Sequence, residues 1–181
     1  NYIDFIGNDH DFYNKISITG NRYTDYDDIS DIVRNEIGGF SADEDSYLDS
    51  FINSIKDRTI KLPWVKNIVI FRNLPSNLNI KIEEYEPFAI WQEGEVQHII
   101  DKDGAIITRL ENDNEFSDLL ILSGQKANIR AGSLFNILLS DLNISQNIYS
   151  ATLIGLRRWD IRFNNGLLVK FPEENIKRAW K

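Results

Sequence analysis

Residues 62–90 read LPWVKNIVIFRNLPSNLNIKIEEYEPFAI, and this stretch decides the fold of the first half of the chain. Between residues 78 and 85 apolar and polar side chains alternate, which is the period of a strand with one buried face. Proline, serine and two asparagines within residues 73–77 are typical of a turn. Pro87 then stops the second strand, because proline lacks the backbone donor that a sheet needs. The stretch therefore predicts a β-hairpin that ends at a domain border.

The residues before this hairpin predict one strand and two helices. KISITG at 15–20 alternates in polarity and closes with a turn glycine. Thr24 and Asp27 resemble a capping box, and apolar side chains follow at helical spacing, so a helix is expected at 25–37. A second apolar stripe predicts a helix at 44–56. We expect the face of the hairpin that carries Ile80 and Ile82 to pack on both helices.

After Pro87 the pattern changes to short apolar strands separated by tight turns. Asp103-Gly104 and Asn164-Asn165-Gly166 are hairpin signals, and one amphipathic helix is expected at 134–142. The chain is therefore predicted to be an α+β protein, with a strand-helix-helix-strand-strand domain followed by a mixed β-sheet domain with few helices. The expected divisions are a poorly ordered lead-in segment at 1–14, a first domain at 15–86 and a second domain at 87–181.

Composition limits the partners of this chain. Its 181 residues are enough for two small domains, and a hydrophobic content of 42% supports a packed core. The formal net charge of −8 disfavours nucleic acid as a partner, because phosphate binding needs a basic face. The chain contains no methionine, even at position 1, so we expect it to be a piece of a longer protein. No apolar run reaches the roughly 20 residues that a membrane helix needs.

Motifs for catalysis, cofactor binding or metal binding are not found in the sequence. The absence of cysteine excludes disulfides, thiolate zinc sites and a cysteine nucleophile. His10 and His98 have no ligand partner at metal-binding spacing, and Ser133 lacks the flanking glycines of a nucleophile elbow. Neighbouring strand residues face opposite sides, so Glu83 and Glu84 cannot share a substrate. We interpret them as charges that protect a strand edge.

Five short segments carry a resemblance to a known family through their wording and their order along the chain. They are KISITGN at 15–21, LPWV at 62–65, IEEYEPFAIW at 82–91, IIDKDGAII at 99–107 and LRRWDIRFNNGLLVKF at 156–171. In this order they resemble the FtsQ/DivIB proteins of bacterial division, and the resemblance covers nearly the whole chain. Members of that family continue after the segment that corresponds to 156–171, through a helix to a D-L-R strand and a last edge strand.

This resemblance implies a POTRA domain at 15–86 and a C-terminally incomplete β domain at 87–181. It implies a non-catalytic scaffold on the periplasmic side of the inner membrane, anchored by a single membrane helix that this chain lacks. The scaffold links early and late division proteins. FtsB-type and, through them, FtsL-type proteins are the implied partners of the β domain, which binds by adding a partner strand to a sheet edge. An FtsK-type upstream partner is implied for the POTRA domain.

The candidate partner-binding residues lie around the last predicted hairpin. Arg157 and Arg158 are adjacent basic residues in an acidic chain, and the resemblance implies that Arg157 meets an acidic residue of the partner. Trp159 and Asn165 belong to the same family motif. A rival hypothesis is a POTRA-type chaperone or secretion module of outer-membrane assembly, and another is a hydrolase with an unrecognised site.

Overall fold

The structure of the protein is a computed structural model that describes residues 2–4, 15–37, 45–73, 77–111 and 115–180. The chain forms two compact units, Asn1–Tyr85 and Glu86–Lys181. Both units contain helices and a β-sheet, so the α+β prediction is confirmed. Within the described ranges, no helix is long and apolar enough to cross a membrane.

The first unit is a four-stranded sheet with two helices. The strands are ordered β1-β2-β4-β3; β4 runs parallel to β2 and antiparallel to β3, so it occupies the interior of the sheet. The elements are β1 (Tyr2–Asp4), β2 (Lys15–Thr19), α1 (Tyr26–Ile37), α2 (Asp45–Thr59), β3 (Val65–Asn73) and β4 (Asn77–Glu84).

The strand β1 differs from the expected lead-in. Its three residues pair antiparallel with β2, from Tyr2 opposite Ser17 to Asp4 opposite Lys15. This pairing gives partners to backbone groups on the outer side of β2, which an unstructured segment would leave to solvent. The rest of the expected lead-in, residues 5–14, lies outside the described residues.

The predicted hairpin is confirmed by β3 and β4, and one face of β4 carries the core of the unit. Leu78, Ile80 and Ile82 are buried in a single cluster that includes side chains of both helices. The alternation is therefore strict because one face of β4 packs in the core while the other carries polar side chains. The helical members of the cluster are Ile29 and Val33 of α1 and Phe51 and Ile55 of α2.

Glu84 closes the first unit by binding a backbone loop. Its carboxylate accepts hydrogen bonds from the backbone N–H groups of Arg22 (2.9 Å), Tyr23 (2.9 Å) and Thr24 (2.7 Å). Partial burial of this carboxylate favours a higher pKa, but the hydrogen bonds from residues 22–24 outweigh it, so the pKa of Glu84 lies below its ordinary value. The loop between β2 and α1 is thus bound to the end of β4.

The structure differs from the sequence predictions at two places in the first unit. Glu83 and Glu84 do not protect a strand edge, because β4 is an interior strand; Glu83 instead forms an exposed ion pair with Lys66 at 3.1 Å. The helix α1 is not capped by Thr24. It begins one residue after Asp25, whose carboxylate accepts a hydrogen bond from the Asp27 N–H at 3.1 Å.

The second unit is a seven-stranded sheet ordered β11-β10-β9-β8-β5-β6-β7. The strand β8 is parallel to both β5 and β9, and the other pairs are antiparallel, so the sheet is mixed as predicted. The elements are β5 (Ala89–Glu93), β6 (Val96–Ile100), β7 (Ile106–Arg109), β8 (Leu120–Ser123), α3 (Ala127–Leu138), α4 (Leu142–Ser145), β9 (Ile148–Ile154), β10 (Arg158–Phe163), β11 (Leu168–Lys170) and α5 (Ile176–Ala179).

The helix α3 begins seven residues earlier than predicted. Its first half contributes only the small buried residues Ala127 and Ala131 to the core, whereas Ile129 is 70% exposed. Small side chains on the buried face let the helix approach the sheet closely, but they leave no large-residue stripe in the sequence. The core that α3 shares with the sheet includes Trp91, Leu122, Ala151, Leu153, Trp159 and Ile161.

The burial of β4 gives a direct test of the first unit. Replacing Ile80, which has no exposed surface, by aspartate should unfold this unit. Burying an unpaired charge costs several kcal/mol, on the order of the whole stability of a small domain. The control Lys81→Asp places the same side chain on the exposed face and should stay folded. Circular dichroism during heating measures both, and a folded Ile80→Asp variant would reject the register.

The hydrogen bonds that the Glu84 carboxylate accepts from residues 22–24 predict a pH-dependent loss of stability. Glu84→Ala should destabilise the first unit by about 1–2 kcal/mol at pH 7, because three backbone donors lose their acceptor. Since folding lowers the pKa of Glu84, the wild-type advantage should be complete above pH 4.5 and should shrink as the pH falls below it.

The matched control for Glu84→Ala is Glu83→Ala, which removes the same charge from the adjacent residue. Its exposed pair with Lys66 contributes little, so the stability should be essentially unchanged. Urea unfolding at pH 7 and pH 3.5 measures the difference. Equal destabilisation by the two alanine variants would show that charge alone, rather than the three hydrogen bonds, accounts for the effect.

Candidate partner-binding surface

The predicted partner-binding residues lie along β10 and the two turns that flank it. The strand β10 pairs antiparallel with β9 on one side and with β11 on the other. In the described part of the sheet β11 is a terminal strand, bonded to β10 alone. A terminal strand presents one row of backbone donors and acceptors away from its sheet, and such a row can pair with a strand from another chain.

The turn between β9 and β10 has two central residues of positive φ. The Arg157 N–H donates to the Ile154 carbonyl at 3.2 Å, and φ is 57° at Gly155 and 63° at Leu156. Positive φ at both central positions is the geometry of a type I′ turn, which matches the twist of the flanking strands. Leu156 therefore lies at the tip of a turn, and Arg157 is a turn residue as well.

The two arginines differ in how tightly they are held. The Arg158 Nε lies 3.2 Å from the Asp160 carboxylate, two residues along β10 on the same face of the sheet. The Arg157 side chain is 68% exposed, and its Nη1 lies 3.8 Å from the Glu173 carboxylate, which is longer than a hydrogen bond. An exposed pair at that distance contributes little, so Arg157 can exchange Glu173 for another carboxylate at low cost.

The side chain of Trp159 lies in the core of the second unit. It is 3% exposed and belongs to the buried cluster that α3 shares with the sheet. A side chain with so little exposed surface cannot provide a contact area for a partner without unfolding the strand around it. We therefore assign Trp159 a packing role and do not retain it as a contact residue.

Asn165 lies in the other turn, between β10 and β11. Its side-chain oxygen accepts a hydrogen bond from the Leu167 N–H at 3.0 Å, so the residue shapes the turn. The strand β10 has six residues and separates this turn from Arg157 by roughly 20 Å at the usual rise per residue. The four predicted residues therefore do not form one cluster, and Arg157 and Arg158 remain together at the start of β10.

The C-terminal part of the chain differs from the rest in charge, and the turn next to Arg157 also carries exposed apolar side chains. Residues 155–180 contain six basic and three acidic side chains, although the whole chain carries a net charge of −8. Ile154 and Leu156, on either side of Gly155, are both partly exposed large hydrophobic residues. This arrangement can bind an extended segment that carries both acidic and apolar side chains.

Sequence reasoning missed Leu156. The only sign of a turn in the sequence was Gly155, which directly precedes Leu156. Positive φ is harder to adopt for Leu156 than for the glycine. A leucine inside a run of apolar residues is normally taken as part of a strand. Its exposure and its positive φ are visible only once the turn is built.

A metal centre finds no support in the described part of the chain, where no three or more His, Asp or Glu side chains come together as potential ligands. The ring of His98 lies 5.6 Å from the ring of Trp91, and His10 lies outside the described residues. We expect elemental analysis of protein purified without added metal to show no stoichiometric zinc. Stoichiometric zinc in such a preparation would contradict this expectation.

Comparisons with protein families match both units. Residues 13–85 match the family described as POTRA domain, FtsQ-type, and residues 89–181 match the family described as cell division protein FtsQ/DivIB, C-terminal. The second match alone covers more than half of the chain. The chain therefore belongs to the FtsQ/DivIB family of cell division proteins.

Individual relatives agree with this assignment. The cell division protein FtsQ of Rhizobium radiobacter is 32% identical over 128 residues, which cover 71% of this chain and 60% of that protein. FtsQ of Rickettsia bellii is 36% identical over 134 residues, which cover 74% of this chain and 48% of that protein. The chain thus spans about half the length of the curated relatives it matches.

A solved structure is also similar, the major extracytoplasmic domain of the bacterial cell division protein DivIB from Geobacillus stearothermophilus. The TM-score is 0.41 at 12% sequence identity, and the similarity covers 54% of this chain and 87% of that domain.

Proposed function

We propose that this chain is an extracytoplasmic, non-catalytic scaffold of the bacterial division complex, which binds FtsB-type and FtsL-type proteins by strand addition to its β domain. Membership of the FtsQ/DivIB family carries this proposal. The described surface supports it, because a terminal strand and an exposed basic turn lie at the same side of the sheet.

The binding mode follows from what a sheet edge offers. A partner segment that adds beside β11 would gain backbone hydrogen bonds along its length, while side chains at the flanking turn would select the sequence. The resemblance implies further strands on this side of the sheet in the family, and the partner would then pair with the outermost of them. In either arrangement we expect Arg157 to provide a charge contact that flanks the added segment.

The proposed location is the periplasmic side of the inner membrane, with a single membrane helix before the first unit. The first unit, with the POTRA match, would face an FtsK-type upstream partner. The rival hypothesis of a chaperone or secretion module could account for the POTRA match at 13–85 but not for the division-family match at 89–181. The division scaffold is therefore the better account of the whole chain.

Charge reversal at Arg157 tests the proposed interface. In calorimetric titrations with a peptide from the extracytoplasmic part of the FtsB-type protein of the same bacterium, Arg157→Glu should weaken binding by about tenfold at low salt. The variant should also show a smaller decrease in affinity as salt is raised, because an attractive charge pair has been removed.

The control for this experiment is Arg130→Glu, which makes the same charge change at an exposed residue of α3. It should bind the peptide as the wild type does. An equal loss in both variants would indicate a non-specific effect of net charge. Failure of the wild-type protein to bind the peptide at all would reject strand addition beside β11.

A further inference from the structure

Leu156 is in a backbone conformation that its side chain makes unfavourable. Its φ of 63° lies in the left-handed region, where the Cβ atom crowds the backbone and where glycine or asparagine is normally found. A type I′ turn requires this conformation at both central positions, and only Gly155 meets the requirement without strain. The protein therefore keeps a leucine where a different residue would be more stable.

Core packing does not compensate for this strain. Leu156 is 40% exposed. Among the described residues, it belongs neither to the buried cluster of the second unit nor to the partly buried side chains packed against that cluster. A strained residue that stays partly exposed outside the core is a reason to look for a contact beyond its own fold.

The surroundings of Leu156 indicate what kind of contact this is. The exposed side chain of Ile154 precedes it by two residues, and the exposed guanidinium of Arg157 follows it directly. A tight turn holds all three at one end of the β9–β10 hairpin, so little conformational entropy is lost when a partner binds them. The combination suits a segment with an acidic residue next to an apolar one.

We propose that Leu156 is the apolar anchor of the partner contact and determines its specificity, with Arg157 binding the adjacent carboxylate of the partner segment. This inference rests on the proposed function and names a residue of the same interface. It explains why the turn keeps leucine, since a rigid turn presents the side chain in its bound position before the partner arrives. The occupant is an acidic and apolar segment of another division protein.

The variant Leu156→Asn separates the two effects of this residue. Asparagine tolerates positive φ, so the melting temperature should rise by about 2–5 °C. The same variant should bind the FtsB-type peptide about tenfold more weakly, because the apolar anchor has been lost. A merely structural role would not produce opposite changes in stability and affinity.

The matched control is Ile129→Asn, which removes an exposed apolar side chain from α3 and should leave the affinity unchanged. If the wild type binds the peptide and Leu156→Asn binds it equally well, the anchor role is overturned while the proposed function stands. If the wild type does not bind, strand addition beside β11 and the anchor role of Leu156 are both overturned. A lower melting temperature for Leu156→Asn would show that the leucine packs within its own fold, which also overturns the inference.

Self-association is checked in the same samples by analytical ultracentrifugation. A dimer of the wild-type protein that Leu156→Asn dissociates, together with unchanged peptide affinity, would assign the turn to contact between two copies of this chain. That result would overturn the inference in favour of a homotypic contact. Monomeric wild-type protein with the expected loss of peptide affinity supports it.

Discussion

The burial of one face of β4 is the constraint on which the first unit depends. Leu78, Ile80 and Ile82 face both helices, while hydrogen bonds to β2 and β3 hold the strand on both sides. An interior strand of this kind has one permitted register, because a shift by one residue would expose its apolar side chains and bury its polar ones. The same register puts Glu84 at the end of β4, where it binds the loop that leads into α1.

The second unit forms its hydrophobic core in a different way. Its sheet has two parallel pairs in the middle, and α3 lies against the central strands with small residues in its first half and large residues in its second half. The interior of the unit is therefore occupied by packing, with Trp91 and Trp159 among the buried side chains. The features that distinguish this unit from an ordinary mixed sheet are the terminal strand β11 and the exposed side chains of the β9–β10 turn.

The surface features fit binding better than catalysis. Terminal strands, a strained turn and an exposed arginine are means of recognising another chain, because backbone hydrogen bonds supply affinity and a few side chains supply selectivity. Strain at Leu156 lowers the stability of the fold, and a protein can tolerate this only because the rest of the hairpin is firmly paired. In the proposed interface, stability and recognition would thus belong to different parts of the same hairpin.

The sequence by itself determined the hairpin at 62–90, the strand-helix-helix-strand-strand order of residues 15–85, the α+β class and the family resemblance. These follow from local periodicity, from turn residues and from short motifs, all of which act between neighbouring residues. It also identified the basic pair at Arg157 and Arg158 as a candidate contact. Only the tertiary structure decided that Trp159 is buried and that Leu156 stands at a strained turn.

The distinction between local patterns and tertiary contacts also explains the other differences between the sequence predictions and the structure. The strand β4 pairs with the distant strand β2, with Asn77 opposite Lys15, and this interior position makes Glu84 a hydrogen-bond acceptor for the loop before α1 rather than an edge charge. The early start of α3 depends on the sheet, since alanines form a packing face only when something lies against them. Contacts between residues distant in the chain decide burial, strain and edge exposure, and local patterns cannot specify those contacts.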